Sequence, residues 1–180
     1  KRQILYLATP ATSVIGSPMI GAHERSRLQA PYEEKMDDAL FMDSLEKLWS
    51  IDISQNSVAG VLDHVGIQNK LKIGLKKDDY YINSGFLLIN LEKWRKTNAL
   101  KQMLYFIESK NGNVIHHDQG VINACFEDDI LILPPHYNVM TSFFDFRDVE
   151  SIKHYYGIAN YYSQNDINEA KKNPVFVHFT

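Results

Sequence analysis

Short apolar runs alternate with polar segments along the chain, and this pattern predicts strands separated by helices. The clearest run is 86–89, which is too short for a membrane span and too continuous for a half-exposed strand. It indicates a strand buried on both faces, as in α/β sheets. Shorter apolar runs predict further strands at 4–8, 39–42, 57–62, 130–133 and 175–179.

Three segments show the three- and four-residue apolar spacing of amphipathic helices. They are residues 44–49, 91–110 and 116–126. Asn90 can cap the second helix, because its side chain can accept a backbone N–H bond and Glu92 suits the positive end of the helix dipole. Residues 66–79 are charged and are predicted to form a loop. Strands that alternate with helices predict an α/β fold.

Composition narrows the class of protein. At 180 residues, with 44% hydrophobic and 23% charged residues, the chain fits one globular domain. A net charge of -3 gives no basic field, so nucleic acid is not expected as a partner. The single Cys125 excludes an internal disulfide and a cysteine-rich zinc site, which fits a reducing compartment. No apolar run reaches the length of a membrane span, and we expect a soluble body.

Polar side chains lie next to the predicted strands. Asp37 and Asp38 precede one strand, Asp63 and His64 follow another, Asn83 precedes a third and His178 lies within the last. In α/β sheets such strand ends can converge on one crevice. Carboxylates with an imidazole would suit Mn²⁺ or a similar divalent ion.

Each of these residues also has a purely structural interpretation. The Asp37–Asp38 pair could cap a helix or turn, and His178 could be a hydrogen-bonded core histidine. The Asn83–Ser84–Gly85 step could be a tight turn. Asp118 could simply occupy the N-terminal turn of a helix.

The order of five segments makes a family resemblance. They read DDALFMDSLEKLWSID (37–52), YINSGFLLINLEKW (81–94), HDQ (117–119), LPPHYNVM (133–140) and HFT (178–180). Together they closely resemble family-8 glycosyltransferases, the lipopolysaccharide galactosyltransferase and glycogenin group, from about residue 37 to the end.

The resemblance implies a single domain over 1–180 of the glycosyltransferase-A type, with a Rossmann-like mixed sheet flanked by helices. Residues 1–36 match poorly, so the N-terminal, nucleotide-binding half is expected to be incomplete. The implied activity is retaining transfer of a hexose from a UDP-sugar, with Mn²⁺ or Mg²⁺ on the diphosphate. The resemblance also assigns roles to individual residues. The metal would be bound by Asp38 and His178, the substrate by Asn83, Ser84, Asp63 and Asp37, and the catalytic residues would be Asp118 and Gln119.

The implied setting is bacterial lipopolysaccharide or surface polysaccharide synthesis. The acceptor would be a glycan or a lipid-linked saccharide, and the protein would be cytoplasmic with peripheral contact with the inner membrane. Two residues depart from the family pattern: Met36 replaces the first acid of Asp-x-Asp, and Gly120 replaces the last acid of Asp-Gln-Asp. They keep open a non-catalytic remnant that binds a glycan or a protein, and a metal-dependent hydrolase is a third hypothesis.

Overall fold

The computed structural model describes residues 3–7 and 39–179, which form strands and helices in alternation. The strands are β1 (Gln3–Leu7), β2 (Ala39–Phe41), β3 (Val58–Leu62), β4 (Ile82–Asn90), β5 (Ile130–Ile132), β6 (Val139–Met140) and β7 (Phe176–His178). The helices are α1 (Glu46–Ser50), α2 (Ile67–Lys72), α3 (Leu91–Thr97), α4 (Ala99–Ser109), α5 (His117–Cys125), α6 (Ser142–Asp145), α7 (Val149–Tyr156) and α8 (Gln164–Lys172).

The strands form two mixed sheets, which confirms the predicted α/β class. The larger sheet has the order β1-β4-β3-β5, in which β1 and β3 run antiparallel to β4 and β5 runs parallel to β3. The smaller sheet has the order β2-β7-β6, with β2 antiparallel and β6 parallel to β7. Its register places both Ala39 and Met140 opposite His178.

Strand β4 is the centre of the molecule, and all nine of its residues are buried. Phe86 and Leu88 belong to a core that also includes residues of the smaller sheet. Leu87 and Ile89 belong to a second core, which includes residues of α5. The strand predicted to be buried on both faces is therefore confirmed, and it extends further than the apolar run alone.

The predicted cap at Asn90 is confirmed, because its side chain accepts a hydrogen bond from the Lys93 N–H at 3.0 Å. The single helix predicted for 91–110 is wrong in one respect. Asn98 has a left-handed backbone (φ 52°, ψ 45°), so the segment breaks into α3 and α4. Asparagine tolerates this conformation better than most residues, and this lets it end one helix and begin another.

Two further expectations are corrected. The loop predicted for 66–79 contains helix α2, whose Lys70 is buried and donates to the Asp79 carbonyl at 2.6 Å. Asn83 does not precede its strand but is the second residue of β4. Helices α6, α7 and α8 were not predicted from the sequence. Among the described residues no helix combines the length and apolarity needed to cross a bilayer.

Candidate functional site

Asp63 holds together a cluster of three side chains that are far apart in sequence. It follows the buried strand β3, and its backbone N–H donates to the Tyr81 carbonyl at 2.8 Å. Its Oδ2 accepts hydrogen bonds from Asn83 Nδ2 at 3.0 Å and from Gln119 Nε2 at 2.9 Å. The fold thus brings together three of the residues predicted to bind the sugar or act on it.

The amide of Gln119 is fixed at both ends. Its Oε1 accepts the backbone N–H of Ser84 at 2.9 Å, while its Nε2 donates to Asp63. Because β4 supplies Ser84 and α5 supplies Gln119, this bond ties the helix to the central strand. The predicted residues Asn83 and Ser84 are both buried, at 7% exposure each.

The imidazole of His178 packs closely against Gly85. A Cβ built on Gly85 would lie 2.2 Å from His178 Cε1 and 2.8 Å from Asn83 Oδ1. Only a residue without a side chain therefore allows the imidazole to pack against β4 beside Asn83. His178 itself is buried, at 5% exposure. Strand β7 thus places His178 beside the Asp63 cluster.

Asp118 lies in the first turn of α5 but makes a different contact from its neighbour Gln119. Its Oδ2 is 3.5 Å from the Tyr6 hydroxyl, which donates from β1. Burial, reinforced by the Asp118 charge, raises the pKa of Tyr6 to about 12. The helix cap at this position is His116, with a left-handed backbone and no side-chain cap bond. Asp118 therefore faces β1 rather than the Asp63 cluster.

Gly120 has a structural reason for being a glycine. A Cβ at this position would lie 2.0 Å from the Ile115 carbonyl oxygen and 3.0 Å from Val114 Cγ1. The turn before α5 therefore closes directly over residue 120. An aspartate could not occupy this position unless that turn moved.

The predicted residues Asp37 and Asp38, and the departure at Met36, lie outside the described residues. The nearest described position is Ala39, which follows Asp38 and pairs with His178. Within 3–7 and 39–179, no group of three or more His, Cys, Asp or Glu side chains could hold a metal ion. Of the two expected metal ligands, the described structure therefore contains His178.

Asn138 is a site residue that the sequence analysis did not single out. It is fully buried, and its Nδ2 donates to Asn83 Oδ1 at 2.9 Å. Asn83 Oδ1 also accepts the Gly85 N–H at 2.8 Å, so the Asn83 amide must direct its Nδ2 towards Asp63. Within the part of the chain that the structure describes, the buried Oδ1 of Asn138 has no hydrogen-bond partner. Its position in segment 133–140, one of the five segments of the family resemblance, could have identified it.

Asn123 was also missed, whereas His64 was noted beside Asp63 at the end of its strand. Asn123 lies four residues after Gln119 on α5; its Nδ2 donates to the Gln119 carbonyl at 2.8 Å, and its Oδ1 accepts the Ile82 N–H at 2.7 Å. His64 follows Asp63, and its Nδ1 is 3.2 Å from Asp63 Oδ1. The four-residue helical spacing from Gln119 could have identified Asn123.

The chain matches the family model described as Glycosyl transferase family 8 over residues 37–180. General stress protein A of Bacillus subtilis (strain 168) is 32% identical over 145 residues, covering 79% of this chain and 48% of that protein. Lipopolysaccharide 1,2-glucosyltransferase of Escherichia coli is 27% identical over 162 residues, covering 83% of this chain and 44% of that protein.

A solved structure shares the fold. The galactosyltransferase LgtC, in complex with donor and acceptor sugar analogs, superposes with a TM-score of 0.61 and 26% sequence identity. The likeness covers 79% of this chain and 49% of that one. The chain thus spans about half the length of the galactosyltransferase and of the two curated relatives described above.

Proposed function

The chain belongs to glycosyl transferase family 8, and from that premise we propose that it serves retaining, metal-dependent transfer of a hexose from a UDP-sugar to a glycan acceptor. We place this reaction in bacterial lipopolysaccharide or surface polysaccharide synthesis. The observation that supports the proposal is the cluster in which Asp63 accepts from both Asn83 and Gln119 beside His178. It combines a carboxylate with amide donors and acceptors, the groups that recognise sugar hydroxyls.

The side chains of the cluster would divide the work on the donor sugar. Asn83 and Ser84 would orient the hexose, and Asp63 would accept its hydroxyl hydrogens. Gln119 would lie beside the anomeric carbon, where its amide oxygen is a poor nucleophile but can stabilise positive charge. This role favours attack by the acceptor from the same face as the departing UDP.

Asp118 and Asp37 complete the proposed assignment. Asp118 would hold the donor sugar from the first turn of α5, with the Tyr6 hydroxyl steadying its carboxylate. Asp37 would contribute a further carboxylate to substrate binding. Neither role requires Asp118 to join the hydrogen bonds around Asp63.

Asp38 and His178 would hold the metal ion, Mn²⁺ or Mg²⁺. A carboxylate and an imidazole suit Mn²⁺. The burial of His178 against Gly85 and beside Asn83 supports its part of the assignment, while Asp38 lies outside the described residues. When bound, such an ion neutralises charge on the leaving diphosphate. The departure at Met36 removes one potential carboxylate ligand.

The remaining expectations concern the partners and location of the protein. The acceptor would be a glycan or a lipid-linked saccharide, and nucleic acid would not bind. We place the protein in the cytoplasm, with peripheral contact with the inner membrane where a lipid-linked acceptor is presented.

Calorimetric titration with UDP, with and without Mn²⁺, tests the proposal. We expect binding that depends on Mn²⁺. Asp38→Ala should abolish that dependence and leave the melting temperature without metal nearly unchanged. Asp128→Ala, which removes an exposed carboxylate, is the matched control. Absence of UDP binding in the parent chain would instead favour the non-catalytic binding module. Release of free sugar from the donor without an acceptor would favour a hydrolase.

A further inference from the structure

An aromatic surface lies next to the Asp63 cluster. We define it by Phe146, Tyr155, Tyr156 and the imidazole of His64. The three benzenoid rings contact one another, with centroids 4.9 Å apart for Tyr155 and Tyr156, 5.4 Å for Phe146 and Tyr155, and 5.9 Å for Phe146 and Tyr156. Such spacing is that of rings in direct packing contact. The loop after α6 and the end of α7 thus share one surface.

His64 connects this aromatic surface to the candidate site. Its ring meets that of Tyr156 edge-on, with centroids 4.4 Å apart. Its Nδ1 lies 3.2 Å from Asp63 Oδ1 and 3.4 Å from the Ser142 hydroxyl. Asp63 Oδ2, its other oxygen, accepts from Asn83 and Gln119. A single carboxylate therefore separates the aromatic surface from the proposed donor-sugar site.

The outer part of the surface is open. Tyr155 is 72% exposed, while Phe146 and Tyr156 are half-buried beneath it. Clustered aromatic groups at the surface beside a site commonly mark a place where something binds, whereas scattered apolar residues need no explanation. The open ring of Tyr155 is thus available to a ligand.

The charges around the surface disfavour an anionic ligand. Burial raises the pKa of the Tyr156 hydroxyl, with smaller contributions from Tyr155 and from the carboxylates of Asp63 and Asp145. Two cations on the same segment of the chain are paired with carboxylates, Arg147 with Asp148 at 2.8 Å and Lys153 with Glu150 at 2.9 Å. A phosphate or nucleotide bound here would be repelled by the carboxylates of Asp63 and Asp145. A neutral ligand with hydroxyl groups would not.

We propose that the aromatic surface of His64, Phe146, Tyr155 and Tyr156 is a saccharide subsite that takes the acceptor glycan. The inference rests on the proposed function, because its link to the site runs through Asp63. A pyranose offers a face of C–H bonds, made slightly positive by the neighbouring oxygens, to the negative face of an aromatic ring. Its hydroxyls remain free to form hydrogen bonds while the ring is stacked. The surface orients the acceptor towards the sugar held by Asn83 and Gln119.

Saturation-transfer NMR with methyl β-D-galactopyranoside, without any nucleotide, tests the subsite directly. We expect transfer to the ring C–H protons, and weaker binding by about threefold to tenfold in Tyr155→Ala. Tyr155→Phe should retain binding, because the ring face remains. The matched control is Tyr105→Ala, which removes a tyrosine with 73% exposure from α4. Sorbitol, which has hydroxyls but no ring face, is the control ligand and should give a weaker signal than the pyranoside.

The outcomes separate this inference from the proposed function. Equal signals in Tyr155→Ala and Tyr105→Ala, or equal signals from sorbitol and the pyranoside, would overturn the subsite. The subsite would also be overturned if Tyr155→Ala changed the sedimentation of the protein but not pyranoside binding. The surface would then mediate contact between copies of the chain. Failure of UDP to bind while the pyranoside still depends on Tyr155 would leave the subsite and remove the donor assignment. UDP binding without pyranoside binding would overturn the subsite and leave the donor assignment in place.

Discussion

At the scale of single residues, amide side chains set the direction of the hydrogen bonds in the site. Asn83 Oδ1 receives two donors, from the Gly85 N–H and from Asn138 Nδ2, so only its Nδ2 can face Asp63. Asn138 is oriented by the same bond, which leaves its Oδ1 buried without a hydrogen-bond partner among residues 3–7 and 39–179. An unsatisfied buried acceptor costs about 1–3 kcal/mol. That cost is consistent with a site built to receive a donor from a ligand or a water molecule.

Asn83→Ala should weaken binding of a UDP-sugar about tenfold more than binding of UDP, because one hydrogen bond to the sugar is lost. Asn138→Ala should shift the same ratio in the same direction but less, since the Gly85 N–H still orients Asn83. Calorimetry with both ligands measures the ratio. Equal weakening of UDP and UDP-sugar by Asn83→Ala would contradict its role at the sugar.

Gly85→Ala should lower the free energy of unfolding by about 1–3 kcal/mol, because its Cβ would overlap His178. Gly66→Ala is the control, since its Cβ would lie 3.4 Å from the Tyr156 carbonyl, and we expect a loss below about 1 kcal/mol. Urea denaturation measures both values. Similar losses in the two variants would mean that His178 can move away at little cost.

At the scale of elements, Asn90, the last residue of β4, joins the sheet to helix α3, which begins at the next residue. The side chain caps α3 and also donates to the carbonyls of Ile53 and Asn56 at 3.0 and 3.2 Å. One buried amide therefore satisfies a helix end and two carbonyls of the α1–β3 connection. The position of β4, and with it Asn83, depends on this junction.

Asn90→Ala should lower the free energy of unfolding by about 2–4 kcal/mol, since it removes a helix cap together with the side-chain donor to the carbonyls of Ile53 and Asn56. Ser163→Ala is the control at the exposed capping box of α8, where we expect about 1 kcal/mol. Thermal and urea denaturation provide the comparison. A loss at Asn90 no greater than that at Ser163 would show that Asn90 acts as a cap alone.

At the scale of the whole molecule, the family match begins at residue 37, yet the fold extends beyond it. Strand β1 pairs with β4 along its full length, from Gln3 opposite Asn90 to Leu7 opposite Phe86. Leu5 is buried in the same core as Leu88 and Phe176. The N-terminal strand therefore supports the strand that contains Asn83 and Ser84.

Leu5→Ala should lower the free energy of unfolding by about 2–4 kcal/mol, because it leaves a cavity in that core. Leu104→Ala on α4, where the side chain is 50% exposed, should change it by less than about 0.5 kcal/mol. Urea denaturation with hydrogen exchange at the β4 amides measures both effects. If the two variants were equally stable, β1 would contribute little to the core.

The sequence by itself determined the elements whose signals are local. A continuous apolar run identified β4, and an asparagine before an amphipathic segment identified the cap at Asn90. The order of five segments indicated the family that the match over 37–180 shows. The same reasoning did not find α6, α7 and α8, or the break at Asn98. Short helices carry few apolar positions, so tertiary packing rather than periodicity decides them.

Only the tertiary structure decided which candidate residues meet. Asp63 and Gln119 are 56 positions apart, and Asn138 is 55 positions from Asn83, yet both pairs form hydrogen bonds. No local propensity encodes contacts between residues so far apart in sequence, because these contacts follow from strand register and from the way α5 packs on β4. The sequence thus named Asp63, Asn83, Ser84 and Gln119 as candidates. The fold joined them into one cluster, and packing at Gly85 placed His178 beside it.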